Sequence, residues 1–151
     1  FEQENLPKQV IFLIQKEVAQ RIVARDGKES LLSVSVKIFT DKKEGVKILD
    51  IVKAGSFVPP PKVDSAIISI LPYPQLFSGQ GVSQEIFFKI LRAAFSHKRK
   101  FMLANLKTDL EKDLFEKYFE TIEEIIILKN GEKARAEDVT IETWKGIINE
   151  I

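Results

Sequence analysis

The sequence contains no cysteine, a single histidine (His97), one methionine and one tryptophan in 151 residues. Without cysteine there is no disulfide framework, no thiolate metal site and no thiol nucleophile in these residues. One histidine rules out a multi-histidine metal cage and argues against a Ser-His-Asp triad. No apolar run approaches the roughly 18 residues needed to cross a bilayer, and the first 30 residues do not read as a signal peptide. The expectation is therefore a cytoplasmic protein with no membrane and no metal partner. Charge of one sign is also lacking overall, since 23 basic residues face 22 acidic ones. With 44% hydrophobic and 30% charged residues, the chain has the makings of one ordinary domain or two small ones.

The charge is segregated nonetheless. Between residues 83 and 107, Lys89, Arg92, Lys98, Arg99, Lys100 and Lys107 stand against Glu85 alone. Between 109 and 124, seven acidic residues stand against Lys112 and Lys117. A near-neutral protein arranged this way has a basic face available for an anionic partner, although an isolated charge run is more often a solvated helix face.

Hydrophobic patterning divides the chain near residues 72–81. Residues 9–14 (QVIFLI) form a continuous apolar run, which predicts a strand buried on both faces of a sheet. It passes directly into a helix over 16–24 (KEVAQRIVA) with Val18, Ile22 and Val23 on one side, stopped at Asp26-Gly27. Residues 31–39 (LLSVSVKIF) fit both a strand and a helix, and are assigned here to a helix. Alternation predicts strands at 46–52 (VKILDIV) and 63–71 (VDSAIISIL), joined as an antiparallel pair at a sheet edge. Pro59-Pro60-Pro61 between them cannot donate ladder hydrogen bonds and must lie outside the strands.

Beyond Gly81 the pattern is helical. Ser83 is an N-cap candidate for a helix carrying Ile86, Phe87, Ile90, Leu91, Ala94 and Phe95. Further helices are predicted over 98–106, over a stretch carrying Leu110, Leu114, Tyr118 and Phe119, and over 139–151 with Thr140 as cap, while Asn130-Gly131 breaks the chain after the apolar run 125–128. In the last of these, Trp144, Ile147, Ile148 and Ile151 face inward.

Three segments carry candidate chemistry. In 56–65 (SFVPPPKVDS), a proline-stiffened loop holds Phe57 at low conformational cost, suited to stacking a nucleobase, or simply to plugging the sheet edge. In 92–100 (RAAFSHKRK), cations around Phe95 and His97 suit phosphate contacts on folded RNA, or a solvated helix end. Gln15-Lys16-Glu17-Val18-Ala19 lies at the carboxyl end of a strand, where open α/β sheets place ligands, or where Gln15 and Lys16 simply cap and solvate the strand-to-helix transition.

The order and spacing of Q-K-E-V-A-x-R, F-x-P-P-P-K-V-D-S-A and A-F-x-x-[KR]-R-K resemble the ribosomal RNA adenine dimethyltransferases, with the proline motif the most specific piece. The similarity is to the branch that dimethylates two adjacent adenosines of small-subunit (16S) rRNA, the kasugamycin-resistance type, a link to antibiotic resistance. The resemblance implies an α/β fold: residues 1–77 as the C-terminal remnant of a Rossmann-like methyltransferase sheet, followed by a small all-α rRNA-binding domain over 78–151. It implies S-adenosylmethionine as the parent enzyme's cofactor, small-subunit rRNA or the small ribosomal subunit as partner, and a place in ribosome biogenesis.

Residue by residue, the resemblance assigns Phe57, Pro59, Pro60 and Gln15 to the target adenine, and Arg92, Lys98, Arg99 and Lys100 to RNA phosphates. The family's glycine-rich donor turn, acidic ribose partner and N-[LI]-P-Y loop do not occur in these residues, so this fragment is expected to hold no catalytic or cofactor-binding residue and to be inactive by itself. Losing the first strands of such a sheet implies an exposed apolar edge, and hence a dimer or aggregate. Two departures stand out: Glu29-Ser30-Leu31 replace the family's aromatic and glycine before L-S-V, and Leu103 replaces an arginine expected to face RNA. Alternative readings are a non-catalytic rRNA-binding or ribosome-assembly module, and the erythromycin-resistance methylases of large-subunit rRNA.

Overall fold

The structure is a computed structural model that describes residues 7–24, 27–40, 45–73 and 82–151. Asp26 and the division between residues 77 and 78 lie outside them. Three strands, β1 (Val10–Gln15), β2 (Val46–Val52) and β3 (Ser65–Ile70), form one antiparallel sheet in the order β1-β3-β2. Val10 opposes Ile70 and Gln15 opposes Ser65 across β1 and β3. On the other side Val46 also opposes Ile70 and Val52 opposes Ser65, with a register shift between Ile48 and Asp50 that leaves Leu49 as a bulge. The predicted β2–β3 pairing is therefore present.

Helices α1 (Lys16–Ile22) and α2 (Leu31–Lys37) cover one face of the sheet. Val10, Ile14 and Val46 pack there with Ile68, Ile70, Ile22, Val18, Val23 and Val36. α2 resolves the ambiguity of 31–39 in favour of a helix for a local reason. The Ser30 hydroxyl accepts from the Ser33 N–H at 3.1 Å while the Ser33 hydroxyl accepts from the Ser30 N–H at 2.6 Å, a reciprocal cap.

The expectation that 9–14 is buried on both faces is corrected. Ile11 and Leu13 are 57% and 52% exposed, and Phe12 48%. β1 has a neighbour on one side only, and among the described residues no helix covers the opposite face of the sheet. Apolar runs predict burial only when both layers are present.

The second half contains α3 (Gln84–Ala94), α4 (Met102–Asp109), α5 (Lys112–Asn130) and α6 (Ile141–Glu150). Ser83 and Thr140 cap α3 and α6 as predicted, accepting from the N–H groups of Ile86 and Thr143. Gly131, at φ +85°, ends α5; its N–H donates to the carbonyls of Ile126 and Ile127. Phe87, Ile90, Leu91, Met102, Leu106, Ile122, Ile126, Trp144, Ile147 and Ile148 make a dense core. Trp144 lies between Phe87, edge-on at 6.1 Å, and Phe95, stacked at 6.2 Å.

α2 faces two ways. Its Val36 packs on the sheet, whereas Val34 and the following Ile38 and Phe39 enter the helical core, with Phe39 stacked on Phe88 at 6.1 Å. Two polar contacts tie the halves further: the Glu29 N–H donates to the Glu137 carbonyl at 2.9 Å, and Lys145 Nζ donates to the Thr40 carbonyl at 2.8 Å.

The helix predicted over 98–106 begins instead at Met102. Residues 98–100 form a turn, closed by the Lys100 N–H donating to the His97 carbonyl at 3.1 Å. The buried Asn105 side chain holds this turn from below, donating to the carbonyls of Ala94 at 2.7 Å and His97 at 3.1 Å. Leu103 is only 5% exposed, so the residue that replaces an arginine here belongs to the core.

Candidate nucleic-acid interface

One end of the sheet gathers the first and third sequence segments. Gln15 ends β1 and immediately precedes α1, and the Lys16 N–H donates to the Asp64 carbonyl at 3.0 Å. From β2 the chain turns through a short 3-10 segment, Ala54–Ser56, into Phe57 and the proline run. The Asp64 carboxylate fixes that turn. It accepts from the Ala54 N–H and from Lys53 Nζ, each at 3.1 Å, with Lys16 Nζ at 4.0 Å. The Ala54 hydrogen bond, then the Lys53 hydrogen bond, hold the Asp64 carboxyl below its ordinary value of 3.8.

Phe57 is half-buried, while Val58, Pro59 and Pro60 are exposed, and the Val58–Pro59 peptide is cis. Gln15 is exposed as well. The four residues assigned to the adenine thus occur on a loop and a strand end that Asp64 locks to the same corner. An aromatic held half-open beside exposed prolines presents a flat apolar surface to a base.

The basic segment lies at the α3–α4 junction. Lys98, Arg99 and Lys100 are exposed in the turn and have no ion pair among the described residues. Asp109 braces the turn from α4, accepting from the Ser96 hydroxyl at 2.6 Å and lying 3.2 Å from His97 Nε2. Lys98 and Lys100 line a cleft of about 420 Å³ between this turn and the α1–α2 connection. Arg92 does not line it: Arg92 borders a separate groove with Lys89, Asp109 and Glu111, across the helix. The sequence grouping of Arg92 with Lys98–Lys100 is therefore divided between two surfaces.

Sequence reasoning missed the other side of this cleft, where Arg21 and Lys28 stand on the first half of the chain. Arg21 closes the Q-K-E-V-A-x-R motif but carries no assigned role there, and nothing local marks Lys28; only the packing of α1 and α2 against α3 and α4 brings them opposite Lys98. It also missed Glu29, whose side chain is fully buried and paired with Lys37 Nζ at 2.8 Å, while the same ammonium donates to the Ala24 carbonyl. Arg21 is paired with Glu17, but Lys28 on one wall and Lys98 and Lys100 on the other give the cleft an excess of positive charge suited to a polyanion.

Among the described residues no cluster of histidine and acidic groups fits a metal ion. Gly27, Gly55, Gly131 and Gly146 form no close cradle: a side chain built at any of them would meet nothing within 4 Å.

Comparison with known proteins agrees with the motifs. All of residues 1–151 match the family model for ribosomal RNA adenine dimethylase. The chain is 37% identical over 145 residues to the ribosomal RNA small subunit methyltransferase A of Dehalococcoides mccartyi (strain CBDB1), covering 92% of this chain and 45% of that protein. With the protein of the same name from Fusobacterium nucleatum subsp. nucleatum it shares 34% over 149 residues, covering 97% and 53%. The chain thus spans about half the length of the curated relatives it matches.

Among solved structures, a dimethyladenosine transferase from Plasmodium falciparum superposes with a TM-score of 0.74 at 23% identity, covering 98% of this chain and 58% of that one. The 23S rRNA methyltransferase ErmE superposes at 0.55 with 18% identity, covering 94% and 55%. Identities this low speak to fold alone, and the fold agrees with the expectation of part of a methyltransferase sheet followed by helices. On the family match, which runs the whole length of these 151 residues, the chain belongs to the ribosomal RNA adenine dimethylase family.

Proposed function

We propose that this chain is the C-terminal part of an S-adenosylmethionine-dependent rRNA adenine N6,N6-dimethyltransferase acting on two adjacent adenosines of small-subunit rRNA during ribosome biogenesis in the cytoplasm. The observation that carries the reading is the Asp64-locked corner, where Phe57, Pro59 and Pro60 of the proline motif lie at the same end of the sheet as Gln15 of the first motif. In this reading residues 1–77 complete the methyltransferase sheet and 78–151 dock on rRNA. The relatives named for the small subunit favour that substrate over large-subunit rRNA.

The donor supplies an electrophilic methyl group to the adenine amine. The described residues do not fit that donor, because the strand-to-helix junction at Gln15–Lys16 has no glycine and side chains built at Gly27, Gly55, Gly131 and Gly146 would meet nothing within 4 Å. The work of this chain is positioning. Phe57 stacks one face of the extruded adenine, the prolines keep it from turning away, and Asp64 keeps the loop at the end of β1. Lys98, Arg99, Lys100 and Arg92 neutralise backbone phosphates and set the RNA register without reading sequence.

Deleting the gene that encodes this chain tests the reading. Dimethylation of two adjacent adenosines in small-subunit rRNA, seen as paired primer-extension stops, is expected to vanish and to return with the intact gene but not with Phe57→Ala. Stops that persist in the deletion strain would overturn it, and their loss from large-subunit rRNA instead would select the erythromycin-resistance type. The 151-residue chain alone is expected to show no calorimetric binding of S-adenosylmethionine.

A further inference from the structure

The cleft between the α1–α2 connection and the α3–α4 turn differs in chemistry between rim and floor. Its lining carries Lys28, Lys98 and Lys100, with Arg21, which is paired with Glu17, and Glu137, which is paired with Arg135. Its floor carries two acidic or amide side chains, Glu29 at 3% exposure and Asn105 at 1%. Each is half used. Glu29 Oε1 accepts from Lys37, and Asn105 Nδ2 donates to the carbonyls of Ala94 and His97. Glu29 Oε2 and Asn105 Oδ1 are buried with no hydrogen-bond partner among the described residues. Both are acceptors. Buried acceptors in native proteins are almost always satisfied, so two in one cleft point to a donor that arrives from outside.

The occupant must therefore offer N–H donors at one end and negative charge at the other. A free phosphate meets the rim but is repelled by Glu29. A metal ion or polyamine meets the floor but is repelled by Lys28, Lys98 and Lys100. A nucleotide satisfies both, and a volume of about 420 Å³ lies within the usual range for such ligands. The walls add Leu31 and Phe95, apolar surfaces for the base faces. Among the four RNA bases only guanine presents two adjacent donors, N1–H and the exocyclic N2 amine, on its pairing edge.

We propose that this cleft holds one unpaired guanosine of the bound RNA, its N1–H and N2–H groups donating to Glu29 Oε2 and Asn105 Oδ1 and its flanking phosphates held by Arg21, Lys28, Lys98 and Lys100. The proposal rests on the reading of this surface as the RNA-docking face. It adds a base-reading element at the opposite end of α1, a seven-residue helix about 10 Å long, from the Gln15 corner. In this reading one strand meets both places: phosphate contacts position it and a single guanine fixes its register.

The test is fluorescence anisotropy of the 151-residue chain with labelled five-nucleotide oligouridines whose central residue is G, A, C, U or inosine, at two salt concentrations. The G oligomer is expected to bind about tenfold tighter than the A, C and U oligomers, with inosine, which keeps N1–H and lacks the amine, in between. Glu29→Gln should remove most of that preference, and Lys98→Ala with Lys100→Ala should weaken every oligomer alike. The inosine comparison uses the unaltered protein, so it decides the matter even where Glu29→Gln perturbs folding. Equal, salt-sensitive binding of all five oligomers would overturn the guanosine site and leave RNA docking intact. No binding of any oligomer would overturn both.

Discussion

The carboxylate of Asp64 accepts a hydrogen bond from the backbone N–H of Ala54 at 3.1 Å, joining the start of β3 to the turn that leaves β2 ten residues earlier. This one contact determines where Phe57 stands, because Phe57 follows directly on the turn that Ala54 opens. The first prediction concerns it. Since the Asp64 carboxyl is held below its ordinary value of 3.8, the contact contributes fully above that pH and is lost as pH falls through the lower native value. Hydrogen exchange at the Ala54 amide should therefore be protected near neutrality and lose protection only below about pH 4. Asp64→Asn should abolish the pH dependence of that protection, and an Ala54 protection factor that stays the same through this range would refute the role given to Asp64.

Glu29 and Lys37 form an ion pair with side-chain exposures of 0% and 15%. Removing the ammonium leaves a buried carboxylate without compensation. Lys37→Met should therefore destabilise the chain by about 3 kcal/mol in urea unfolding. Adding Glu29→Met should recover part of the loss. A Lys37→Met protein as stable as the parent would show that the pair is solvated.

The turn at 98–100 is held by Asn105 but charged by its own residues, so the two contributions are separable. Lys98→Ala, Arg99→Ala and Lys100→Ala should each weaken rRNA binding with little sequence preference, and each should reduce the salt slope by slightly less than one. Arg92→Ala should act independently of them, since Arg92 borders a different groove. Filter binding at several salt concentrations measures both. An unchanged slope for the triple variant would make these cations a solvated helix end.

The sheet face opposite α1 and α2 exposes Ile11, Leu13 and Leu49 at 57%, 52% and 46%. An apolar strand at a sheet edge with such a face is a site for self-association. Light scattering of the 151-residue chain should show dimers or larger species at high concentration, and Leu13→Lys should shift it toward monomer. A parent chain that stays strictly monomeric would count against this.

Much of this organisation is legible in the residues themselves. Period-two alternation marks β2, helical spacing marks α3, and Ser83 and Thr140 announce the starts of α3 and α6 because a hydroxyl before an apolar stripe caps locally, whatever the rest of the chain does. The proline motif around Phe57 and the cations at 98–100 are visible for the same reason: each is contiguous. What local sequence does not carry is position across the fold. The apolar run of β1 looks like a central strand, yet its environment depends on which layers pack against it. Lys98 reads as helix by spacing, yet sits in a turn because Asn105, seven residues on, takes the carbonyls of Ala94 and His97. Lys28 becomes a functional candidate, and Arg21 of the first motif comes to stand with it opposite Lys98, only when α2, whose two apolar sides serve two cores, brings the sheet against the helices. Capping and periodicity are decided within a few residues, but a cleft exists only between elements, so its residues are chosen by tertiary packing.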